Sequence, residues 1–139
     1  MDVDKLLKAL DNDNNEDIID TTTATLKSEV CDVLTELELE EETRKDLCHK
    51  LRDYRHVEDI SKLASGAYIR WICMKNPDEI HLTNGALLCD IRFGDEGISL
   101  ICKGFRNRHF QVKFDECIIF QRLSEQEQVL LSALDYLSK

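Results

Sequence analysis

The spacing of apolar residues changes along the chain, from a period near 3.6 to a period of two. In the first part, apolar residues recur every three or four positions, as they do on one face of a helix. This pattern predicts a short amphipathic helix followed by an acidic polar linker over residues 1–17, and two longer helices over residues 21–60. Because few residues connect the two longer helices, we expect an antiparallel helical hairpin.

Between residues 66 and 123 the alternation of apolar and polar residues is typical of β-strands. Five segments carry it, separated by turn residues: residues 68–74, 86–93, 98–103, 109–114 and 117–123. Short strands with tight turns favour a strongly bent antiparallel sheet, and closure of such a sheet leaves no exposed edge. We therefore expect a small five-stranded antiparallel barrel, Tudor-like or Src-homology-3-like, over residues 66–123.

The C-terminal segment predicts a further helix, over residues 124–139. Ser124 and Glu127 fit a capping box, in which the two residues cap the first turn of a helix reciprocally. Apolar residues cover more than one narrow stripe of this helix, so we expect it to pack on both the barrel and the helical hairpin. The predicted fold class is α+β.

Charge separates the two halves of the chain. Of the net charge of −10, residues 1–60 contribute 18 acidic and 8 basic side chains, whereas residues 61–123 contribute 7 acidic and 9 basic ones. The charge that repels polyanions therefore belongs to the helical part, and the strand region can meet a different partner.

The six cysteines and the N-terminus indicate a reducing compartment. The cysteines form no C-x-x-C pair, which a metal site or redox motif normally contains, and we interpret them as small buried hydrophobes. The N-terminus lacks the basic and apolar segments of a signal peptide. No apolar run approaches the roughly 20 residues that a membrane span needs, so we expect no membrane partner.

No catalytic motif stands out in the sequence. It contains no phosphate-binding loop, dinucleotide fingerprint or nucleophile elbow. His49 and His56 are seven positions apart on a predicted helix, which separates them by about 10 Å, too far for one metal ion. We expect no cofactor, no metal and no enzymatic activity. A Cys–His nucleophile pair remains as an enzymatic hypothesis, because such residues need only be close in space.

One basic and aromatic stretch, residues 103–109, is the first candidate contact surface. Lys103, Arg106 and Arg108 can neutralise phosphate groups, and Phe105 can stack on an unpaired base. Because the chain as a whole is acidic, the same residues also suit an ordinary solvated turn or an acidic protein partner.

A second candidate surface lies in the strand segment YIRWICM. If Ile69 and Trp71 face the core, alternation places Tyr68 and Arg70 on the outer face. Arg70 then either pairs with an acidic residue of the next strand, such as Asp90, or forms a contact surface with Tyr68.

In addition, the apolar stripe of residues 2–10 suits either self-association or packing on its own chain.

Three stretches of the sequence resemble an uncharacterised small protein family of mimivirus-like giant DNA viruses (nucleocytoplasmic large DNA viruses). They are YRHVEDISKLASGAYIRWICMKNP, LTNGALLCDI and FQVKFDECIIFQRLSEQEQVLLSALDYL. The resemblance covers about residues 54–137, with Ala86 in place of a second glycine. It implies a viral origin and a location in the virus factory of the host cytoplasm or in the virion, but it assigns no functional residue.

These observations support three hypotheses of function. The leading one is a non-enzymatic protein-interaction or scaffold module of a large DNA virus, acting as an assembly or virus-factory component. The second is a nucleic-acid-binding small barrel that uses the loop over residues 103–109. The third is a cysteine-dependent enzyme.

Overall fold

The computed structural model describes residues 2–19 and 21–137. Two compact units divide the chain. The helical unit comprises the described parts of residues 1–53 and 123–139, and the sheet unit comprises residues 54–122.

The helical unit contains five α-helices, three of which begin with a side-chain cap. Its α-helices are α1 (Val3–Asp11), α2 (Glu16–Ile19), α3 (Thr23–Glu36), α4 (Glu41–Lys50) and α5 (Glu125–Leu137). The Asp2 side chain accepts from the Lys5 N–H at the start of α1, and Thr22 accepts from the Thr25 N–H at the start of α3. The predicted capping box is also present, because Ser124 and Glu127 each accept from the other's backbone N–H.

Residues after α1 fold back as helical turns where the sequence predicted a polar linker. A 3-10 helix spans Asp13–Asn15 and continues into α2. The cause is Asn15, which is buried and donates through its amide to the Ala9 carbonyl oxygen at 2.9 Å. A polar run can thus be ordered when a buried amide is satisfied by hydrogen bonds.

The core of the helical unit lies where α5 packs on α1 and α2. The buried apolar residues of this core are Ala9, Ile18, Leu26, Leu123, Leu130 and Leu131. Leu6 packs against them, whereas Val3, Leu7 and Leu10 of the same stripe are exposed. The predicted apolar stripe of residues 2–10 therefore packs partly on its own chain, and self-association through it stays a prediction.

The sheet unit contains one antiparallel sheet of six strands. They are β1 (Tyr54–Val57), β2 (Tyr68–Cys73), β3 (Ala86–Gly94), β4 (Gly97–Lys103), β5 (His109–Lys113) and β6 (Cys117–Arg122). Their order is β1-β6-β2-β3-β4-β5. Short 3-10 helices follow β1, β4 and β5.

The prediction of a closed five-stranded barrel is wrong, although the mixture of helices and strands agrees with the α+β class. The sheet is open: among the described residues, β1 pairs only with β6 and β5 pairs only with β4. Residues 54–57 were predicted as part of the helical hairpin. They form a strand instead because they pair with β6, and α4 ends at Lys50.

The open sheet is nevertheless strongly curved. The Trp71 ring on β2 and the Phe110 ring on β5 have centroids 5.8 Å apart, although β3 and β4 lie between these strands. The side chains of non-adjacent strands can meet only if the sheet coils around its core face. The buried residues of that core face are Val57, Leu63, Ile69, Trp71, Ala86, Leu88, Leu100, Cys102, Val112 and Ile119.

A β-bulge in β3 changes which of its residues face the core. The register shifts between Leu88 and Asp90, with Cys89 as the extra residue. Uninterrupted alternation along β3 would place Leu87 and Cys89 on the apolar face. Both are exposed in the structure, and Leu88 is buried instead.

Replacement of Gly85 by alanine is expected to destabilise the protein more than replacement of Gly66. Both glycines have φ of 93°, so both alanine variants carry the strain of a left-handed residue, about 1–2 kcal/mol. Only at Gly85 would a Cβ also collide with the Ile69 carbonyl oxygen and with the side chains of Tyr68 and Arg70. We expect Gly85→Ala to lower the free energy of unfolding by about 1–3 kcal/mol more than Gly66→Ala. Urea denaturation measures both, and equal losses would contradict this close packing.

Candidate functional site

A cross-strand row of four side chains occupies the face of the sheet opposite its apolar core. Tyr68 on β2 pairs with Leu87 on β3, Leu87 pairs with Lys103 on β4, and Lys103 pairs with His109 on β5. Directly opposed residues of antiparallel strands point to the same face, with Cα atoms about 4.5–5.5 Å apart. The register therefore brings the predicted site residues Tyr68 and Lys103 onto one surface, with an exposed leucine between them.

Arg70 holds the segment before β3 and does not pair with Asp90. The Arg70 Nε–H donates to the Thr83 carbonyl oxygen at 2.8 Å, and the Tyr68 hydroxyl donates to the Asn84 carbonyl oxygen at 2.9 Å. Asp90 instead accepts from the Arg92 Nε–H at 3.3 Å. Arg70 thus fixes the backbone beside the cross-strand row.

The turn between β4 and β5, residues 104–108, continues from one end of this row. The Gly104 N–H donates to the Arg108 carbonyl oxygen at 2.9 Å and closes the turn. Arg106 and Asn107 both adopt left-handed backbone conformations, with φ of 60° and 59°. Such conformations are strained for a residue like arginine and cluster at functional sites.

The turn presents an aromatic ring and two guanidinium groups to solvent. The Phe105 side chain is 85% exposed, and the Arg106 guanidinium carbon lies 5.4 Å from the centre of its ring, a cation–π geometry. The Phe110 side chain is 39% exposed. Together with Gly104, Phe105, Arg106 and Arg108, it lines a cleft of about 380 Å³. Two aromatic rings therefore form the walls of the cleft, and two arginines form its rim.

Strand β5 forms an open edge next to this cleft. Because Gly104 and Arg108 are a hydrogen-bonded pair, alternation directs the backbone groups of Phe110 and Val112 towards β4. The backbone N–H and C=O groups of His109, Gln111 and Lys113 then point away from β4. No described strand pairs with that side of β5.

The cations of the turn differ from other cations of the sheet unit, because they have no ion-pair partner among the described residues. Arg92 is paired with Asp90, and Lys75 lies 4.0 Å from Glu116. In contrast, no ion pair within residues 2–19 and 21–137 involves Lys103, Arg106 or Arg108. The turn is a local cationic surface in an acidic protein.

The structure brings cysteines together in pairs, which the sequence analysis missed. The Sγ atoms of Cys31 and Cys48 are 3.4 Å apart, and Cys73 lies directly opposite Cys117 in neighbouring strands. Burial, and then the neighbouring Cys73, raise the pKa of Cys117 to about 12, so this group is a thiol at neutral pH. The signal for the first pair was present, because Cys31 and Cys48 lie at similar distances from the connection of the predicted hairpin.

The described part of the chain has neither a metal-binding cluster nor a membrane-spanning helix. It contains no cluster of three or more histidine, cysteine, aspartate or glutamate side chains that could hold a metal ion. It also contains no helix with the length and apolar character needed to cross a bilayer.

Comparison of the chain with protein-family models, with curated proteins and with solved structures finds no match in any of the three. The resemblance of residues 54–137 to a giant-virus family stays a prediction.

Alanine variants of Phe105 and Phe110 are expected to differ in the free energy of unfolding, because the Phe105 ring is exposed and the Phe110 ring contacts Trp71. Phe105→Ala is expected to change the free energy of unfolding by less than about 0.5 kcal/mol, because the ring is exposed. Phe110→Ala removes the contact with Trp71 and is expected to cost roughly 1–3 kcal/mol. Thermal or urea unfolding of the two variants provides the measurement. A large loss in Phe105→Ala would mean that this ring supports the fold.

Proposed function

We propose that the protein is a non-enzymatic interaction module that binds an extended, acidic segment of a partner protein. The binding surface consists of the 104–108 turn, the cleft behind it and the open edge of β5. The observation that carries the proposal is the exposed Phe105 ring, flanked by arginines without ion-pair partners in the described part of the chain. In the giant-virus setting that the resemblance implies, such a module is an assembly or virus-factory component.

The open edge supplies backbone recognition. An extended peptide can add to a sheet as a further strand, and its main-chain hydrogen bonds then give affinity. The outward backbone groups of His109, Gln111 and Lys113 offer three residues of such a ladder. The side chains of these three residues are exposed, so a peptide can approach the edge without displacing buried apolar side chains.

The cleft supplies a side-chain pocket. Its walls are the Phe105 and Phe110 rings, and aromatic residues are enriched among those that dominate binding energy. Alternate residues of an added strand point to the same face, so one apolar side chain of the peptide can enter the cleft while its neighbours face the rim.

The rim selects the charge of the partner. Arg106 and Arg108 border the cleft, and Lys113 lies at the far end of the same edge. Acidic residues that flank the apolar side chain would pair with these cations, which mainly improves the association rate and the specificity.

Selection of peptides from a random library tests this proposal on the full chain. We expect enrichment of peptides that combine an aromatic or aliphatic residue with flanking acidic residues. Phe105→Ala should weaken binding of a selected peptide about tenfold or more, as expected for an anchor residue. Phe93→Ala is the matched control, since the Phe93 ring on β3 is 71% exposed and does not line the cleft, and it should leave binding unchanged. Enrichment that Phe105→Ala does not affect would contradict the proposed surface.

Nucleic-acid binding through residues 103–109 is the second candidate function. The specific observation that favours it is the Phe105 ring, which has one face towards Arg106 and is exposed enough to stack on a base. With three cations in contact with phosphates, the logarithm of the affinity for a single-stranded oligonucleotide should fall with the logarithm of salt concentration with a slope of about −2. Absence of binding at low salt, or binding retained in Arg106→Gln/Arg108→Gln, would exclude this function.

A further inference from the structure

Cys31 on α3 and Cys48 on α4 form a thiol pair inside the helical unit. Their Sγ atoms are 3.4 Å apart, close enough for one thiol to donate to the other. A disulfide bond is about 2.05 Å long, so the two atoms would need to approach by only about 1.4 Å to form one. Both side chains are half-buried, and a path from solvent is present.

That path is a cleft of about 520 Å³ lined by both thiols. Its charged walls are all basic, namely Lys27, Arg44, Lys45 and Arg52. No carboxylate lines it among the described residues. This is a local exception, because residues 1–60 carry 18 acidic and 8 basic side chains.

Two of the four cations are free to bind an anion. Lys45 pairs with Glu41 at 3.2 Å, and Arg52 lies 3.9 Å from Asp53. Lys27 and Arg44 make no ion pair in the part of the chain that the structure describes. Both are close enough to Cys48 to act on its charge.

A metal ion is a poor occupant of this cleft. No third ligand accompanies the two cysteines in the described residues, and structural zinc sites use four. Two thiols in contact can instead be oxidised to a disulfide, because the second thiol can resolve the mixed disulfide that the first one forms.

We propose that Cys31 and Cys48 are a thiol–disulfide exchange site for anionic low-molecular-weight disulfides of the glutathione disulfide class, whose carboxylates bind Lys27 and Arg44. This site is in the helical unit and is independent of the proposed function of the sheet unit.

The exchange proceeds in two balanced steps. The Cys31 thiolate attacks one sulfur of glutathione disulfide, forms a mixed disulfide and releases the first glutathione. Cys48 then loses its proton and attacks the Cys31 sulfur, which forms the Cys31–Cys48 disulfide and releases the second glutathione. Two protein thiols lose two electrons, one glutathione disulfide gains them, and the two protons end on the two glutathione thiols.

Cys48 is the second thiol to react because of its surroundings. Burial, and then the hydrogen bond and charge of Cys31, raise the pKa of Cys48 to about 11, against the opposing effect of Arg44 and Lys27. A thiol that keeps its proton at neutral pH is a poor initial nucleophile. It can still resolve a mixed disulfide that forms next to it.

The test uses the reduced full chain in glutathione buffers of increasing oxidation, followed by acid quench, alkylation and peptide mapping. We expect the Cys31–Cys48 disulfide to form before any bond between Cys73 and Cys117, the pair opposed in the sheet. Cys48→Ser should accumulate a glutathione adduct on Cys31, and Cys31→Ser should form the adduct on Cys48 more slowly, because burial of Cys48 remains. Oxidation of Cys73 and Cys117 at the same rate or faster would overturn the proposal.

A comparison of two disulfides, first on the unmodified protein and then on a variant, tests the role of the cations. Glutathione disulfide should oxidise the pair faster than the neutral hydroxyethyl disulfide. Arg44→Gln should slow the reaction with glutathione disulfide about threefold and leave the neutral reagent unaffected, since one partly exposed charge contact is lost. Lys50→Gln is the matched control, because Lys50 is on the same helix but pairs with Asp46. Equal rates for the two disulfides would overturn the assignment of an anionic substrate.

Discussion

The contact between Trp71 and Phe110 holds the curvature on which the sheet unit depends. The two rings meet although two strands separate β2 from β5, so the sheet must coil around its own core face. This coil lets a single sheet bury a contiguous apolar cluster. It also places Phe110 between the core and the cleft, with the 104–108 turn beyond it.

Curvature without closure leaves the sheet unit with the open edge that we propose binds a partner. A closed barrel would have paired the backbone of β5 on both sides and left only side chains for recognition. Here β5 keeps one open side, and the exposed charge of Lys113 on that strand discourages pairing with unrelated edges. The aromatic cleft and the two arginines lie at the end of the same strand.

Periodicity predicted the elements whose pattern is local, and missed those whose pattern depends on distant residues. The helices α1, α3 and α5 and the strands β2 to β6 follow from apolar spacing. Strand β1 has only four residues, and its conformation comes from pairing with β6 far along the chain.

Among the candidate site residues, Phe105 and the arginines could be recognised from the sequence. Prediction of the row from Tyr68 to His109 would have required the strand register. Prediction of the thiol pair would have required the orientation of α3 and α4 about their axes.

Amide hydrogen exchange of the full chain, with and without a selected acidic peptide, tests the central claim most directly. In the free protein, the amides of Phe110 and Val112 should be protected by β4, whereas those of His109, Gln111 and Lys113 should exchange rapidly. Binding of the peptide along the edge should protect these three amides as well, so that every residue of β5 becomes slow. Peptide binding that leaves these three amides rapidly exchanging would contradict the account.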